Sequence, residues 1–283
     1  MTWLFFALGA AFASAINVWA SKLLVARVRP SVLGGTVHLT GGLLSLLFLW
    51  ALGGDLAPAR ERAVELALMA MVYVVANLLY FRALHATQLS EIDLLLRSSA
   101  LWTVVGGVAF LGEPFGLPSL LGTLLIMVSV TLLARAPGRV RFTAPQLTAL
   151  GAAVLFGAGN VIDKAISAPF DPLGYTALNL TLTGIGMLAV ARPTRIELLA
   201  PGLWRLEAWI VAATFALTQL CIILAFATGG SAGNVILVAQ ARLLVLMAVG
   251  IAVMGERDRL ARKLAAAALM LAGITALSLG GTT

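Results

Sequence analysis

Apolar residues run along this chain in long blocks, broken by short clusters of glycine, proline and charge. Ten blocks can be traced, at roughly 3–24, 32–52, 64–86, 90–110, 116–134, 145–166, 172–191, 207–228, 232–253 and 261–280. The breakers between them include Arg29-Pro30, Gly53-Gly54-Asp55, Gly112-Glu113-Pro114, Ala136-Pro137-Gly138, Arg192-Pro193 and Gly255-Glu256-Arg257. A bilayer core of about 30 Å is crossed by about 20 apolar residues in a helix. In an open chain only helices satisfy every backbone group in lipid, so the pattern predicts ten transmembrane helices and an all-α membrane protein.

Composition narrows the class further. The chain has 283 residues, 61% hydrophobic and 11% charged, with a mean hydropathy of +1.02. A soluble domain carries about 25% charged residues, so an ordinary soluble enzyme, a disordered tail and a disulfide scaffold are excluded. The net charge of +7 does not point to nucleic acid, because the arginines are scattered between apolar runs. Cys221 is the single cysteine and sits in an apolar run, so no disulfide framework or metal motif is expected. The first apolar run starts at Trp3 without a basic lead or a clear cleavage site, and reads as the first spanning helix.

The chain also repeats itself. At an offset of 143, residues 84–134 fall on 227–277, aligning Leu94 with Leu237, Gly107 with Gly250, Met127 with Met270 and Gly112-Glu113 with Gly255-Glu256. Near the same offset Asn17 meets Asn160, Pro30 meets Pro172 and Gly42 meets Gly184. The paired Gly-Glu turns carry most of the weight, since alanine- and leucine-rich helices match by chance. The chain then divides into repeats at 1–138 and 139–283. Five helices per repeat is an odd number, so the two would enter the membrane in opposite orientations. Inverted repeats are a transporter device, with the site between them near the midplane.

Thirteen of the 19 Lys and Arg lie at odd-numbered connections, among them Arg27, Arg139, Arg195 and Arg259. Even-numbered connections hold only Arg60, Arg62 and Lys164. Positive charge stays inside, which places the odd connections in the cytoplasm and both termini outside.

The segment Leu101 to Leu133, with Phe110-Leu111-Gly112-Glu113-Pro114 followed by Leu120-Leu121-Gly122-Thr123, resembles the EamA-type repeat of the drug/metabolite transporter superfamily. Met254-Gly255-Glu256-Arg257 followed by Ala265 to Gly273 looks like a second copy, and Asn17 to Lys22 resembles the family's opening helix. The resemblance implies ten helices as two inverted five-helix repeats around a cavity that opens alternately to each side. It also implies cytoplasmic termini, opposite to the charge distribution, so orientation stays open.

Polar residues inside spans are costly, about 2.5–3.5 kcal/mol for a central arginine, and ask for a reason. Tyr73, Asn77 and Tyr80 share one face of the third helix. Asn17, with Ser14 and Ser21, stripes the first helix, and Asn160, with Gly157 and Lys164, its counterpart. Such residues also glue helices together. Arg97 lies about 10 Å into the fourth helix and Arg242 near the middle of the ninth, at 1.5 Å per residue. The offset pairs Arg97 with Gln240 and Ser99 with Arg242. Two guanidiniums facing one cavity would grip a carboxylate or phosphate. For Arg97 a salt bridge to Asp93, one turn earlier, is the structural alternative. Glu91, Asp93 and His38 are candidates for proton coupling, and Asp163, at the end of the polar stretch of the sixth helix, is a further acid that could carry a proton.

Trp3, Trp50, Trp204 and Trp209 read as interfacial anchors. Gly229-Gly230-Ser231-Ala232-Gly233 spells a nucleophile elbow in the wrong context, between two helices. With two histidines and no metal motif, an intramembrane enzyme is the remote reading and no catalytic residue is expected. The expected function is secondary transport of a small metabolite, an anion or a zwitterion such as an amino acid, across the cell (inner or plasma) membrane. A flippase or exporter of amphipathic substrates, or of cationic drugs, is the alternative. The expected partners are that substrate, membrane lipid and, as an open question, protons. A monomer or weak homo-oligomer is expected, with no cofactor and no nucleic acid.

Overall fold

A computed structural model describes residues 2–22, 29–86, 95–133, 143–252 and 260–280. Its long helices are α1 (Thr2–Lys22), α2 (Pro30–Ala51), α3 (Ala63–Ala86), α4 (Ser99–Leu111), α5 (Leu117–Leu133), α6 (Ala144–Ile166), α7 (Pro172–Ala191), α8 (Leu206–Ala227), α9 (Ala232–Ala239), α10 (Arg242–Ala252) and α11 (Leu260–Gly280). Eight stretches among the described residues are long and apolar enough to cross a membrane, and shorter apolar helices occupy 95–111 and 117–132. The molecule is an all-α membrane protein, and its helices fall on the ten predicted blocks to within a few residues where they are described.

Local signals set the ends. Pro30 and Pro172 open α2 and α7, where a missing N–H costs nothing. The Asp171 carboxylate caps α7, accepting from the amides of Leu173 (2.9 Å) and Gly174 (3.1 Å). Gly112 closes α4 in the left-handed region, at φ 64°. Two features were not predicted. Short helices at Pro58–Glu61 and Arg195–Leu198 fill connections read as turns. The ninth block, read as one helix, is two: α9 and α10, divided at Gln240–Ala241.

The helices pair across the midpoint of the chain. α2 packs on α7, α5 on α11, α1 on α8, and α3 on α6. Exchanging each helix for the one about 143 residues away turns the α1–α8 pair into the α6–α3 pair and leaves α2–α7 and α5–α11 unchanged. Antiparallel α2 and α7 meet through glycines: a Cβ on Gly42 would stand 2.6 Å from the Thr181 amide nitrogen, and one on Gly184 2.8 Å from the Leu39 Cα. Thr181 is the counterpart of Leu39 and Gly184 of Gly42, so the two contacts are the same contact seen from either side. Side chains with large apolar areas point outward, including Phe5, Phe12, Phe48 and Phe110, as expected toward lipid. Trp50, Trp204 and Trp209 are exposed, whereas Trp3, expected at an interface, is buried at 8% exposure and packs beside Gly230.

Candidate functional site

A cavity of about 440 Å³ lies where α1, α2, α3, α4, α6, α7, α8, α9 and α10 converge. The tyrosine stripe of α3 borders it with Tyr73, Asn77 and Tyr80. Asn17 and Asn160 reach it from α1 and α6, and Arg97, Gln240 and Arg242 from the fourth and ninth blocks. His38 is on the same wall. Glu91 and Asp93 lie outside the described residues, so the alternative salt bridge of Arg97 does too; the His85 side chain is likewise outside them.

The backbone explains why the arginines meet here. Residues 95–97 are helical, Ser98 is a turn, and α4 begins at Ser99. Across that step the Ser98 amide bonds the Leu95 carbonyl at 3.0 Å, an i to i−3 bond. In the other half the Gln240 and Ala241 amides bond Leu237 (3.1 Å) and Val238 (2.9 Å), and α10 begins at Arg242. Ser98 and Ala241 are counterparts at the offset of 143, so both helices break at one level. Each break places an arginine on the cavity. Arg97 is buried at 8% exposure. Arg242 Nη1 donates to the Ser14 hydroxyl at 3.1 Å. The Gln240 Oε1 is buried with no hydrogen-bond partner among the described residues, an acceptor turned toward a site lined by donors.

The amides of the wall are held by neighbours. Asn77 Nδ2 donates to the Tyr73 carbonyl (2.8 Å). Asn17 Nδ2 donates to the Val211 carbonyl (2.8 Å) and Thr214 Oγ1 (3.3 Å). His38 Nδ1 lies 2.8 Å from the Gly34 carbonyl, with its ring tilted on Phe215 at 4.5 Å. Carbonyl contact makes Nδ1 the protonated nitrogen of the neutral ring, which leaves Nε2 as an acceptor.

Behind the cavity wall sits the group to which sequence reasoning gave least weight. Asp163 is 0% exposed. Its Oδ2 accepts from the Tyr73 hydroxyl (2.6 Å) and Gln219 Nε2 (3.4 Å), and its Oδ1 from the Tyr175 hydroxyl (2.7 Å) and Asn179 Nδ2 (3.0 Å). Tyr175, Asn179 and Gln219 were not anticipated. Tyr175 and Asn179 sit at i, i+4 on α7, the spacing that marks a polar stripe, and that signal was available. The Asn179-Leu180-Thr181 glycosylation pattern is buried inside α7, with Asn179 at 2% exposure. Ser231 of the apparent nucleophile elbow caps α9, accepting from the Asn234 amide at 3.2 Å.

A multi-pass helical membrane protein with a polar cavity enclosed by both halves of its chain has the architecture of a solute carrier. The family model of the EamA-like transporters matches residues 1–135, just under half of the chain, and marks that stretch as a membrane transporter of the drug/metabolite type. A solved structure described only as the crystal structure of a protein is similar over 99% of this chain and 97% of its own, with a TM-score of 0.80 and 17% identity. At that identity the likeness concerns the fold alone. No curated protein matches the chain.

Proposed function

We propose that this chain is a secondary transporter of a small anionic or zwitterionic metabolite, such as an amino acid, working by alternating access. Residues 1–138 and 139–283 would be inverted halves rocking around the cavity. The observation that carries this reading is the pair of helices broken at equivalent positions, each placing an arginine on one cavity. Interrupted helices in corresponding places of two halves are where transporters build their sites. A volume of about 440 Å³ falls in the range of pockets for small molecules, about 300–1,000 Å³. Arg242 and Arg97 would hold a carboxylate through paired N–H donors. The unpartnered Gln240 Oε1 and His38 Nε2 offer acceptors for an ammonium group. Multi-pass insertion in the cell membrane with both termini outside the cytoplasm follows from the lysine and arginine distribution, and a C-terminal reporter fusion reads it directly.

Thermal unfolding of the purified chain in detergent, against organic anions, amino acids, sugars and cationic drugs, tests the site. A ligand that binds the folded state raises the melting temperature by mass action. Anions or zwitterions should stabilise, and Arg242→Ala should abolish that stabilisation. Stabilisation by cations alone, unchanged in Arg242→Ala, would overturn the reading.

A further inference from the structure

Asp163 is not needed to hold a metabolite, since it stands one layer behind the cavity wall, yet it organises that wall. It is a carboxylate with no exposure, met by four neutral donors from three helices. A buried charge is retained at a cost of several kcal/mol even when hydrogen-bonded. The counterpart of Asp163 at the offset of 143 is Ala20, so the first half builds the equivalent place without a carboxylate.

Of the groups around the carboxylate, α3 presents Tyr73, α7 presents Tyr175 and Asn179, and α8 presents Gln219; among the described residues no cation bonds it. On its own helix, Lys164 turns away, donating to the Phe226 carbonyl at 2.8 Å. Among the described residues, the charged and titratable groups that border the cavity with Tyr73 and Gln219 are Arg97, Arg242, His38 and Tyr80. A metal cation such as sodium needs converging oxygen lone pairs. Here N–H and O–H groups converge instead, an arrangement that repels a metal ion and can exchange with a proton.

We propose that Asp163 binds the coupling proton of this transporter, with Tyr73 relaying its arrival to the broken helix α4. This rests on the transporter reading above. When Asp163 Oδ2 takes up a proton, the new O–H donates to the Tyr73 oxygen, reversing the present 2.6 Å bond. The Tyr73 hydroxyl proton then turns to its other acceptor, the Asn160 Oδ1, 3.5 Å away. Asn160 Nδ2 already donates to Thr103 Oγ1 (3.1 Å), and Thr103 Oγ1 to the Ser99 carbonyl (2.9 Å). Ser99 is the first residue of α4, directly after its break, and borders the cavity. Protonation thus reaches the substrate cavity through one chain of hydrogen bonds, each with a proton to give and a lone pair to receive.

Infrared difference spectra of the full chain in detergent, taken as pH is lowered, read the protonated-carboxyl stretch without any substrate. One such band should be lost in Asp163→Asn and kept in Glu113→Gln. An undiminished spectrum in Asp163→Asn would overturn the proposal. Where Asp163→Asn does not fold, Tyr73→Phe decides: the band should shift in frequency because its partner is gone, and an unshifted band would overturn the proposal. In proteoliposomes holding a pH-sensitive dye, glutamate, alanine or phenylalanine should move the dye signal with the wild type and lose that effect with Asp163→Asn. Dye movement equal to wild type in Asp163→Asn would also overturn it. If no compound stabilises the protein, the transporter reading fails separately, because the infrared arm uses none of them.

Discussion

Equivalent places in the two halves of this molecule are filled by opposite chemistry. In the second half, Asp163, Tyr175 and Asn179 gather with Tyr73 and Gln219 into a closed polar cage. Their counterparts are Ala20, Leu33 and Val37, with Ala216 and Ala76 in the places of Tyr73 and Gln219, and all five are buried at 8% exposure or less. Ala20, Leu33 and Val37 belong to one apolar cluster with Val32 and Val211. The same packing is therefore satisfied in one half by methyl groups and in the other by a carboxylate with four donors. Packing does not demand the cage, so its desolvation cost is borne for something the first half does not do.

The strongest way to break this comparison is to exchange the chemistry. Ala20→Asp would bury a carboxylate among Leu33, Val37 and Val211 with no cage around it, and an uncompensated buried charge costs about 3–5 kcal/mol. Its folded yield and melting temperature should fall far below wild type. Asp163→Ala leaves four donors without their acceptor, at about 1–3 kcal/mol for each that stays buried and unpaired. It should melt well below wild type by thermal unfolding in detergent. Wild-type melting of Ala20→Asp would mean that the first half holds hidden donors, and the contrast would collapse.

Where the halves are alike, their variants should be alike. Gly42→Ala and Gly184→Ala each drive a methyl group into the backbone of the facing helix, at Thr181 and Leu39. Overpacking of this kind costs about 1–3 kcal/mol. The two melting temperatures should drop by matching amounts, because the contacts are images of each other. A large effect at one glycine and none at the other would break the symmetry on which the comparison stands.

Much of this was legible before any coordinates. Apolar runs gave the helices, because a spanning helix must be apolar for its whole length. The polar stripes marked Tyr73, Asn77, Tyr80, Asn17 and Asn160, which the fold brings to one cavity with both arginines. The breaks were not legible. Val238-Ala239-Gln240-Ala241-Arg242 contains neither glycine nor proline, and its i to i−3 bonds arise from tertiary packing that no local signal reports. The cage escaped for a related reason. Its members come from α3, α6, α7 and α8, and only the fold assembles them.

A smaller test concerns the Gly-Glu turn that first exposed the repeat. Glu113 reaches across the halves, its Oε1 accepting from the Ala232 amide (2.6 Å) at the start of α9. A carboxylate there satisfies an open N–H and complements the helix dipole. Glu113→Gln keeps the acceptor and loses the charge, so the loss should be about 0.3–1 kcal/mol, a small drop in melting temperature. The first and second halves can be compared here too, although the counterpart Glu256 lies outside the described residues.

A change in stability of similar size separates glue from machinery most directly. Asn17 and Asn160 are counterparts, and each hydrogen-bonds a neighbouring helix. Side-chain hydrogen bonds between membrane helices are worth about 0.6 kcal/mol on average, so Asn17→Ala and Asn160→Ala should each lower the melting temperature slightly and by similar amounts. Their partners differ. Asn17 ends on the Val211 carbonyl and Thr214, beside the apolar cluster of Ala20, Leu33 and Val37. Asn160 stands between Tyr73 and Thr103, the only route from the cage to α4 among the described hydrogen bonds. Removing Asn160 takes away the acceptor to which the Tyr73 hydroxyl must turn, so the protonated-carboxyl band of Asp163 should weaken or move in Asn160→Ala and stay in place in Asn17→Ala. Equal stability with unequal spectra would assign Asn17 to packing and Asn160 to the relay. Equal spectra would return both asparagines to the role of glue, and leave the polar cage cut off from α4 and the break that follows Arg97.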